Sequence, residues 1–589
     1  FAAESTVYTR ASLTGFGFSG AFESWLARPD RRFERTTLGP FKLSEGAAGA
    51  GAWRTDPTTG RVVALADHDL ADARAGTWFD LERWAEPDQG GGTVAFAGGG
   101  SDSTGHCTVL EVAPPADMSA GGSVRPRRLW FDDATGLLAR IVAYNDQREV
   151  VTRLSDWRTG GGRRRPWVSE TSVTGMPANR LRTLTDSLVV NAPVTGVAFG
   201  APAGGGGNAL TWLHAAGSAT LPFEYRARHV WLKAAVDGGP PQDFLFDTGA
   251  SVSVVDSGWA VAHGLKTAGY MQAAGAGAAG GASFATLGSL RLAGPDGDGV
   301  ELRDLKVGVL ALNPQFAPLF WRPLAGIVGY DVISRFVVTL DYDARTLTLH
   351  DPATWTYTGR ETPLPMVMNG TVPAVRGTLD GRDEGLFRLD VGSSSTVDVH
   401  TPFARAHALG RRLRHPIAIS GVGFGGGFAS RVGRLTRMSL GPYAWEDPVV
   451  SLPEASEGAF ASEDFAGNVG NRVLERFRVT LDYAHRQVIL EPGRRFAARD
   501  GFTRAGTLLE WHADSVTAAS VLPGSPAARA GLRDGDTVVA IDGRAATAWD
   551  FNALTTLFED GPDGRVVPLQ VRRDGRERTL RLRLEEMLP

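Results

Sequence analysis

Cysteine is nearly absent from this chain of 589 residues, and other features that would narrow its function are missing too. Cys107 stands alone, so no disulfide can form within the chain, and neither an oxidising nor a reducing compartment is required. No Cys/His cluster and no His-Glu-x-x-His run indicates zinc, so we expect no metal and no other cofactor. No apolar run of 18 residues predicts a membrane span.

A strong charge imbalance is also lacking. Lys and Arg total 61 against 65 Asp and Glu, which leaves a net charge of −4. This mild balance gives no electrostatic reason to expect a nucleic-acid or membrane partner. The 43% of hydrophobic residues is enough for packed cores, and the length predicts three or four domains.

A duplicated segment is the main positive feature of the sequence. Asp247-Thr248-Gly249-Ala250 follows an apolar run, and Asp390-Val391-Gly392-Ser393 follows another, 143 residues later. One Asp-Thr-Gly is weak evidence, because such short polar runs are usually turns. Two copies inside a longer repeat can bring two carboxylates to one site, as acid–base hydrolysis by an aspartic pair requires.

The repeat extends well beyond these two tetrapeptides. Asp237-Gly238 matches Asp380-Gly381, and residues 335–342 match residues 476–483. Short Val, Ile, Leu, Phe and Thr runs alternate with Asp-Gly turns, which predicts hairpins and a mainly β fold.

Two glycine-rich segments recur at matching places in the repeat, at 275–281 and 421–427. Glycine backbones are easy to move and costly to order. We therefore predict that Gly275 and Gly277 in one copy, with Gly421 and Gly423 in the other, belong to paired flaps over a cleft. Ordinary flexible hairpin tips are the alternative.

Residues 215–495 resemble a tandem retropepsin-like aspartyl protease of the bacterial type. The similarity rests on residues 244–250, on Gly326-Ile327-Val328-Gly329-Tyr330-Asp331 and on the Arg-Phe-x-Val-Thr-Leu-Asp-Tyr strand that follows. It implies a bilobal, pepsin-type β-barrel protease with lobe one at 215–352 and lobe two at 353–495. Its substrate would be a peptide or protein.

The resemblance implies that Asp247 and Asp390 are the catalytic pair. Two carboxylates about 3 Å apart share one proton. The ionised one takes a proton from water, and the protonated one polarises the scissile carbonyl. Residues that would support the two catalytic loops are Thr248, Gly249, Gly329, Gly392, Ser393 and Gly470.

Two departures from the family pattern leave an alternative open. Val391 lacks the hydroxyl with which Thr248 can brace the opposite loop, and Asn468 stands where an apolar residue is expected. Lobe two could therefore be catalytically inactive, and the chain a scaffold that binds a peptide, protein or lipid. If the pair is active, a Ser393 hydroxyl donating to Asp390 would make Asp390 the more readily ionised partner.

Residues 500–589 resemble a bacterial PDZ domain. Ser525 can cap a short helix that has Pro526 in its first turn, and residues 550–558 have helical apolar spacing. PDZ grooves bind an extended peptide as an added strand, often at a free C-terminal tail. The resemblance places this groove at Gly506, Thr507 and Leu508, after a carboxylate loop at 502–506. A spacer or docking surface packed on the protease is the alternative.

Residues 1–205 have β texture and many tryptophans, and they are similar to the curved antiparallel sheet of periplasmic lipoprotein carriers. That similarity implies an open half-barrel with a lipid or peptide pocket. In the alternative, the tryptophans fill the core of the sheet itself. A glycine-rich linker is predicted at 201–208. Together with the PDZ resemblance, this favours a periplasmic or secreted bacterial protein whose signal peptide has been removed.

Overall fold

The computed structural model describes residues 4–102, 105–118, 124–145, 148–202, 207–214, 217–277 and 279–589. Residue 1 and residue 215, the predicted starts of two domains, lie outside this range, as do residues 203–206 of the predicted linker and residue 278 of the first flap segment. The described chain is mainly β, which confirms the predicted fold class. None of its helices is long and apolar enough to cross a membrane.

The N-terminal region forms one antiparallel sheet of thirteen strands, in the order β6-β5-β4-β3-β2-β1-β13-β12-β11-β10-β9-β8-β7. Helix α1 (Asp67–Asp80) lies between β6 and β7 in the sequence, and these two strands form the opposite edges of the sheet. The strands are β1 (Thr6–Gly15), β2 (Phe18–Ala27), β3 (Arg31–Leu38), β4 (Phe41–Ala48), β5 (Gly51–Thr55), β6 (Val62–Ala64), β7 (Thr93–Asp102), β8 (Gly105–Ala113), β9 (Arg127–Asp132), β10 (Leu138–Asn145), β11 (Arg148–Gly160), β12 (Arg163–Val173) and β13 (Met176–Val190).

Tryptophans pack within this sheet domain. Trp53 is buried against Phe33 and Phe199, and Trp78 on α1 is buried against the sheet residues Val112 and Leu129. These contacts agree with the interpretation that the tryptophans fill the domain's own core.

Lobe one is a sheet in the order β14-β22-β19-β23-β18-β17-β21-β20, and an additional pairing of β21 with β22 closes it into a barrel. Its strands, with those it gives to the sheet between the lobes, are β14 (Leu210–Trp212), β15 (Ser218–Pro222), β16 (Glu224–Arg226), β17 (His229–Val236), β18 (Gln242–Phe246), β19 (Val254–Asp256), β20 (Ala268–Ala273), β21 (Gly280–Ala293), β22 (Gly299–Leu310), β23 (Gly326–Val328), β24 (Val337–Asp341) and β25 (Thr346–His350). The helices are α2 (Ser257–Ala262), α3 (Asn313–Phe320) and α4 (Tyr330–Ile333).

Lobe two repeats this arrangement, with the order β31-β32-β35-β30-β36-β29-β28-β33-β34. Its strands are β26 (Leu364–Pro365), β27 (Val367–Asn369), β28 (Val372–Leu379), β29 (Asp383–Leu389), β30 (Val397–Val399), β31 (Arg414–Gly423), β32 (Gly426–Arg434), β33 (Arg437–Leu440), β34 (Tyr443–Glu446), β35 (Val449–Pro453), β36 (Gly467–Val469), β37 (Phe477–Asp482) and β38 (Gln487–Pro492). Its helices are α5 (Thr401–Ala406) and α6 (Asn471–Leu474).

A six-stranded sheet, β15-β25-β24-β37-β38-β26, joins the lobes. At its centre β24 pairs antiparallel with β37, and Thr339 lies opposite Thr480 with 2.9 Å between their hydroxyl oxygens. These two threonines are equivalent positions of the sequence repeat. The lobes are therefore related by an approximate two-fold axis at this pair, which places equivalent loops opposite each other.

The C-terminal region has the sheet order β39-β40-β41-β43-β44. The strands are β39 (Thr507–His512), β40 (Ser515–Val521), β41 (Thr537–Ile541), β42 (Arg544–Ala545), β43 (Val566–Arg573) and β44 (Arg576–Arg583), with helices α7 (Pro526–Arg529) and α8 (Phe551–Asp560). Ser525 accepts a hydrogen bond from the Ala528 N–H, which confirms the predicted helix cap.

Candidate active site

The two aspartates sit on equivalent loops at the centre of the protease region. Strand β18 ends just before Asp247, and strand β29 ends just before Asp390. Each strand runs parallel to a support strand, β23 or β36. The Asp247 N–H donates to the Val328 carbonyl at 3.0 Å, and the Asp390 N–H donates to the Val469 carbonyl at the same distance.

The structure places the two carboxyl groups next to each other, each against the glycine of the opposite loop. The Gly249 N–H donates to Asp247 Oδ1 at 2.7 Å, and the Gly392 N–H donates to Asp390 Oδ1 at 2.9 Å. A Cβ on Gly392 would lie 2.2 Å from Asp247 Cγ, and one on Gly249 would lie 2.7 Å from Asp390 Oδ1. Glycine is therefore needed at both positions because each carboxyl group lies against the opposite loop.

Thr248 braces the two loops, as the family resemblance implies. Its hydroxyl donates to the Leu389 carbonyl at 2.6 Å and accepts from the Val391 N–H at 3.0 Å. Val391 cannot return this contact. Asn471 bonds the same loop instead, since its Nδ2 donates to the Val391 carbonyl at 2.6 Å.

Asn471 also reaches lobe one, which makes it a second cross-brace. Its Nδ2 donates to the Arg228 carbonyl at 2.7 Å, and its Oδ1 accepts from the Tyr342 hydroxyl at 2.7 Å. The sequence analysis missed this residue. Its position directly after Gly470 was a signal, because that glycine belongs to the support element of the repeat.

The support glycines lie directly beneath the catalytic loops. A Cβ on Gly329 would be 2.6 Å from the Val252 carbonyl oxygen, and one on Gly470 would be 2.4 Å from the Ser395 carbonyl oxygen.

The predicted hydrogen bond from the Ser393 hydroxyl to Asp390 is wrong, because this hydroxyl pairs with the Ser395 hydroxyl at 2.8 Å and not with Asp390.

Asn468 supplies the contact expected of Ser393. Its Nδ2 donates to Asp390 Oδ2 at 2.7 Å. Asn468 is thus in direct contact with the candidate dyad, and whether lobe two is active stays a prediction. Asp390 accepts bonds from two N–H donors, whereas Asp247 accepts one, from Gly249. Burial and the neighbouring Asp390 charge raise the pKa of Asp247. The two carboxyl groups therefore have unequal surroundings.

The predicted flap segments meet over this site. The Gly277 N–H donates to the Phe424 carbonyl at 3.0 Å, and the Gly275 carbonyl accepts from the Ala459 N–H at 3.1 Å. A Cβ on Gly423 would lie 2.5 Å from Ala276 Cβ. Gly421 lies further back along its hairpin, in β31. Their function as flaps stays a prediction.

The N-terminal sheet holds the base of the first flap. Asn179 on β13 exchanges two hydrogen bonds with the backbone of Gln272 on β20, at 2.9 and 2.8 Å. The Tyr270 N–H donates to the Phe16 carbonyl at 2.8 Å. Because β20 is an edge strand of lobe one, these bonds attach the flap hairpin to the N-terminal domain.

A cavity of about 1520 Å³ surrounds the two aspartates and continues to the C-terminal domain. Thr507 and Leu508, two of the residues predicted to bind a peptide tail, line this same cavity. Gly506 has a φ of +71° and turns the chain into β39. The predicted tail groove and the aspartate cleft are thus one continuous space.

Trp321 of lobe one occupies part of that groove. Strand β39 is an edge strand, and the Trp321 indole N–H donates to its Leu509 carbonyl at 3.1 Å. The ring also packs edge-on against Phe551 of α8, with 5.8 Å between ring centroids. No sequence pattern predicts this contact, because its two sides lie far apart along the chain.

Residues 232–332 match the aspartyl protease family model, and residues 517–573 match a PDZ domain model. No curated protein matches the chain. Among solved structures, it is similar to a retropepsin-like aspartic protease from Rickettsia conorii, at 18% identity and a TM-score of 0.16 over 24% of this chain and 94% of that one. It is also similar to Basic 7S globulin from soybean, at 12% identity and a TM-score of 0.29 over 47% and 95%.

The N-terminal region has its own structural neighbours. One is a putative outer membrane lipoprotein-sorting protein domain from Vibrio parahaemolyticus, at 12% identity and a TM-score of 0.25 over 33% of this chain and 88% of that one. The predicted combination is confirmed: the chain contains an aspartyl protease domain and a PDZ domain.

Proposed function

We propose that this protein is an aspartic endopeptidase that cleaves peptide bonds with a water activated between Asp247 and Asp390. The observation that carries the proposal is the pair of facing carboxyl groups, which equivalent loops hold in a cleft large enough for a polypeptide. No metal is needed, because a dyad sharing one proton supplies both the acid and the base.

The roles that we propose for the two aspartates follow from their unequal surroundings. Asp390, which accepts hydrogen bonds from Gly392 and Asn468, removes a proton from the attacking water. Asp247 carries the shared proton, polarises the scissile carbonyl and returns a proton to the departing amine. Titration belongs to the pair and not to either residue alone.

The PDZ domain would present substrate to this dyad. Thr507 and Leu508 line the cavity that contains the aspartates, so an extended tail added along the edge of β39 would lead towards the cleft. We include a periplasmic or secreted location in the proposal, which cell fractionation of the source bacterium would test.

The central experiment is digestion of an unfolded protein substrate from pH 3 to 8, with and without pepstatin. Asp247→Asn and Asp390→Asn should each lose cleavage. Asp341→Asn is the matched control, because Asp341 belongs to the repeat but only closes a turn by accepting from the Ala344 N–H. It should cleave like the unmodified protein.

Three results would contradict the proposal in different ways. Cleavage that persists in Asp390→Asn would mean that lobe one pairs with lobe one of a second chain. Cleavage that persists in both variants would place the chemistry elsewhere. Absence of cleavage by the unmodified protein, with peptide binding retained, would favour the inactive scaffold.

A further inference from the structure

The two walls of the cleft differ in chemistry at equivalent positions. In lobe one, Leu245, Ile327 and Val254 lie side by side on strands β18, β23 and β19. In lobe two the same places, on β29, β36 and β30, hold the polar residues Arg388, Asn468 and Asp398. All six residues line the cavity.

Lobe one's wall is continuous with a hydrophobic cluster. Leu245, Val254 and Ile327 pack together with Trp231, the neighbour of Leu245 on β17, and with Phe424 from the opposite flap. A side chain lying against this wall would contact only carbon. Lobe one therefore offers an apolar subsite beside the dyad.

Two of the three polar residues in lobe two already have partners. Asn468 donates to Asp390. Asp398 accepts from the Ser395 hydroxyl at 2.5 Å, and burial raises the pKa of Asp398 to about 6. Neither residue is free to neutralise a charge in the cleft.

Arg388 has no such partner. Its side chain is buried, with the residue only 9% exposed, and its Nε has no hydrogen bond. No carboxylate of the described residues lies within 4.0 Å of its guanidinium, whose nearest aromatic contact is Phe465 at 5.7 Å from the ring centroid. Arg388 lines the cavity with no carboxylate of the described residues in contact with it, so its guanidinium can receive an anion there.

The surroundings favour a carboxylate as that anion. His400 does not compete as a cation, because burial and the Arg388 charge lower the pKa of His400 to about 3. The dyad shares one proton and so carries one negative charge; the Arg388 charge acts on Asp247 of this pair without an ion-pair contact. A planar guanidinium can pair with a carboxylate through two parallel N–H bonds.

We infer that Arg388 selects a substrate with an aspartate or glutamate side chain on one side of the scissile bond, while Leu245 and Ile327 accept an apolar side chain on the other. This inference rests on the proposed peptidase activity and names its substrate class. The substrate could lie in the cleft in either chain direction, so the residues on both sides of the scissile bond have to be varied.

The test uses fluorogenic peptides with a fixed sequence and Leu-Leu, Glu-Leu, Leu-Glu, Gln-Leu or Leu-Gln at the scissile bond, assayed at pH 5.5. One Glu peptide should exceed its Gln partner in kcat/KM by about 10- to 100-fold, the range expected for a charge-assisted bond over a neutral one. At pH 3.5, where glutamate is protonated, the preference should disappear.

Arg388→Leu copies Leu245 into lobe two and should remove the Glu preference while Leu-Leu is still cleaved. Arg376→Leu is the control, because Arg376 is an exposed arginine paired with Glu384 on the same sheet. Arg388→Met is the second choice if the leucine variant fails to fold. Equal rates for Glu and Gln in the unmodified protein, or an unchanged preference in Arg388→Leu, would overturn the inference.

Failure of the peptidase itself gives a different pattern. If no peptide is cleaved, the proposed function fails, and binding of the Glu and Gln peptides to Asp247→Asn still tests the subsite by calorimetry. Tighter binding of one Glu peptide that depends on Arg388 supports the subsite, and equal affinities overturn it.

Discussion

Asn468 donates a 2.7 Å hydrogen bond to Asp390, whereas the equivalent residue of lobe one, Ile327, has no polar atom to offer Asp247. Two lobes that share a fold thus present unequal surroundings to two identical carboxyl groups. The inequality distinguishes a base from an acid in the proposed mechanism, because a carboxylate with more donors is more stable in its charged form.

Replacing Asn468 with the lobe-one residue tests this directly. In Asn468→Ile, the charged form of the dyad loses one donor, so the acid limb of the pH–rate profile should move to higher pH. We expect kcat/KM to fall about tenfold, as loss of one charge-assisted bond predicts. Full pH profiles of peptide cleavage measure both effects. An unchanged acid limb would mean that Asn468 is only a packing residue.

The catalytic pair could be predicted from the sequence because it depends on a repeat. Asp247 and Asp390 each follow an apolar strand, and duplication places equivalent loops face to face. The glycines beside them could be predicted for the same reason, since Gly249 and Gly392 are repeated with the aspartates.

The asymmetric contacts could not be predicted in this way. Asn468 and Asn471 differ from their lobe-one counterparts, so the repeat says nothing about their partners. A polar residue at these positions is a sign of decay or of a functional contact according to which atom it meets on a neighbouring strand, and the sequence does not show that atom. Trp321 is harder still, because its partner Leu509 belongs to another domain.

Stability should respond to pH through Asp247. Burial and the Asp390 charge raise its pKa, so the folded state binds a proton that the unfolded chain releases near its ordinary value. This carboxyl therefore favours the folded state at low pH, and the contribution is lost as pH rises. Asp247→Asn should gain roughly 2–4 °C in melting temperature at pH 8.

The gain should shrink at pH 4, where the unmodified carboxyl is protonated in the folded protein. Melting curves of both proteins at the two pH values make the comparison, with Asp341→Asn showing the effect of an ordinary turn aspartate. An equal difference in melting temperature at both pH values would show that the effect does not come from protonation of Asp247.

Removing the Asn471 cross-brace should loosen the dyad. Asn471→Leu leaves the Val391 carbonyl without the amide that replaces the missing threonine contact, and leaves the Tyr342 hydroxyl without its acceptor. Two buried groups without partners should cost about 2–5 kcal/mol in the free energy of unfolding. Urea denaturation measures this cost, and kcat should fall more than KM rises. Full activity and stability in Asn471→Leu would show that Thr248 alone suffices.

Trp321 should limit access to the PDZ groove. Trp321→Ala removes the indole that donates to the Leu509 carbonyl and fills the space beside Phe551. Tail peptides should then bind more tightly, because the edge of β39 becomes free for strand addition. Fluorescence anisotropy of labelled C-terminal peptides measures the change. Weaker binding would mean that Trp321 forms part of the peptide site and does not obstruct it.

Glu559 should make attachment of the PDZ domain sensitive to acid. It bridges Arg228 of lobe one and Arg472 of lobe two, at 2.6 Å from each. Burial alone would raise the pKa of Glu559, but the two arginines lower it to about 2. A depressed carboxyl pKa stabilises the folded state above the ordinary value of 4.5, and this contribution is lost as pH falls towards 2.

Glu559→Gln should therefore have the same effect at pH 7 that acid has on the unmodified protein. Hydrogen exchange should rise along α8 and β39 while the lobes stay protected, because Glu559 connects these elements to the protease. The control is Glu577→Gln, which removes an exposed PDZ carboxylate that pairs with Arg572 inside the same domain. Identical exchange in both variants would show that apolar contacts such as those of Trp321 hold the domain, and that the bridge only orients it.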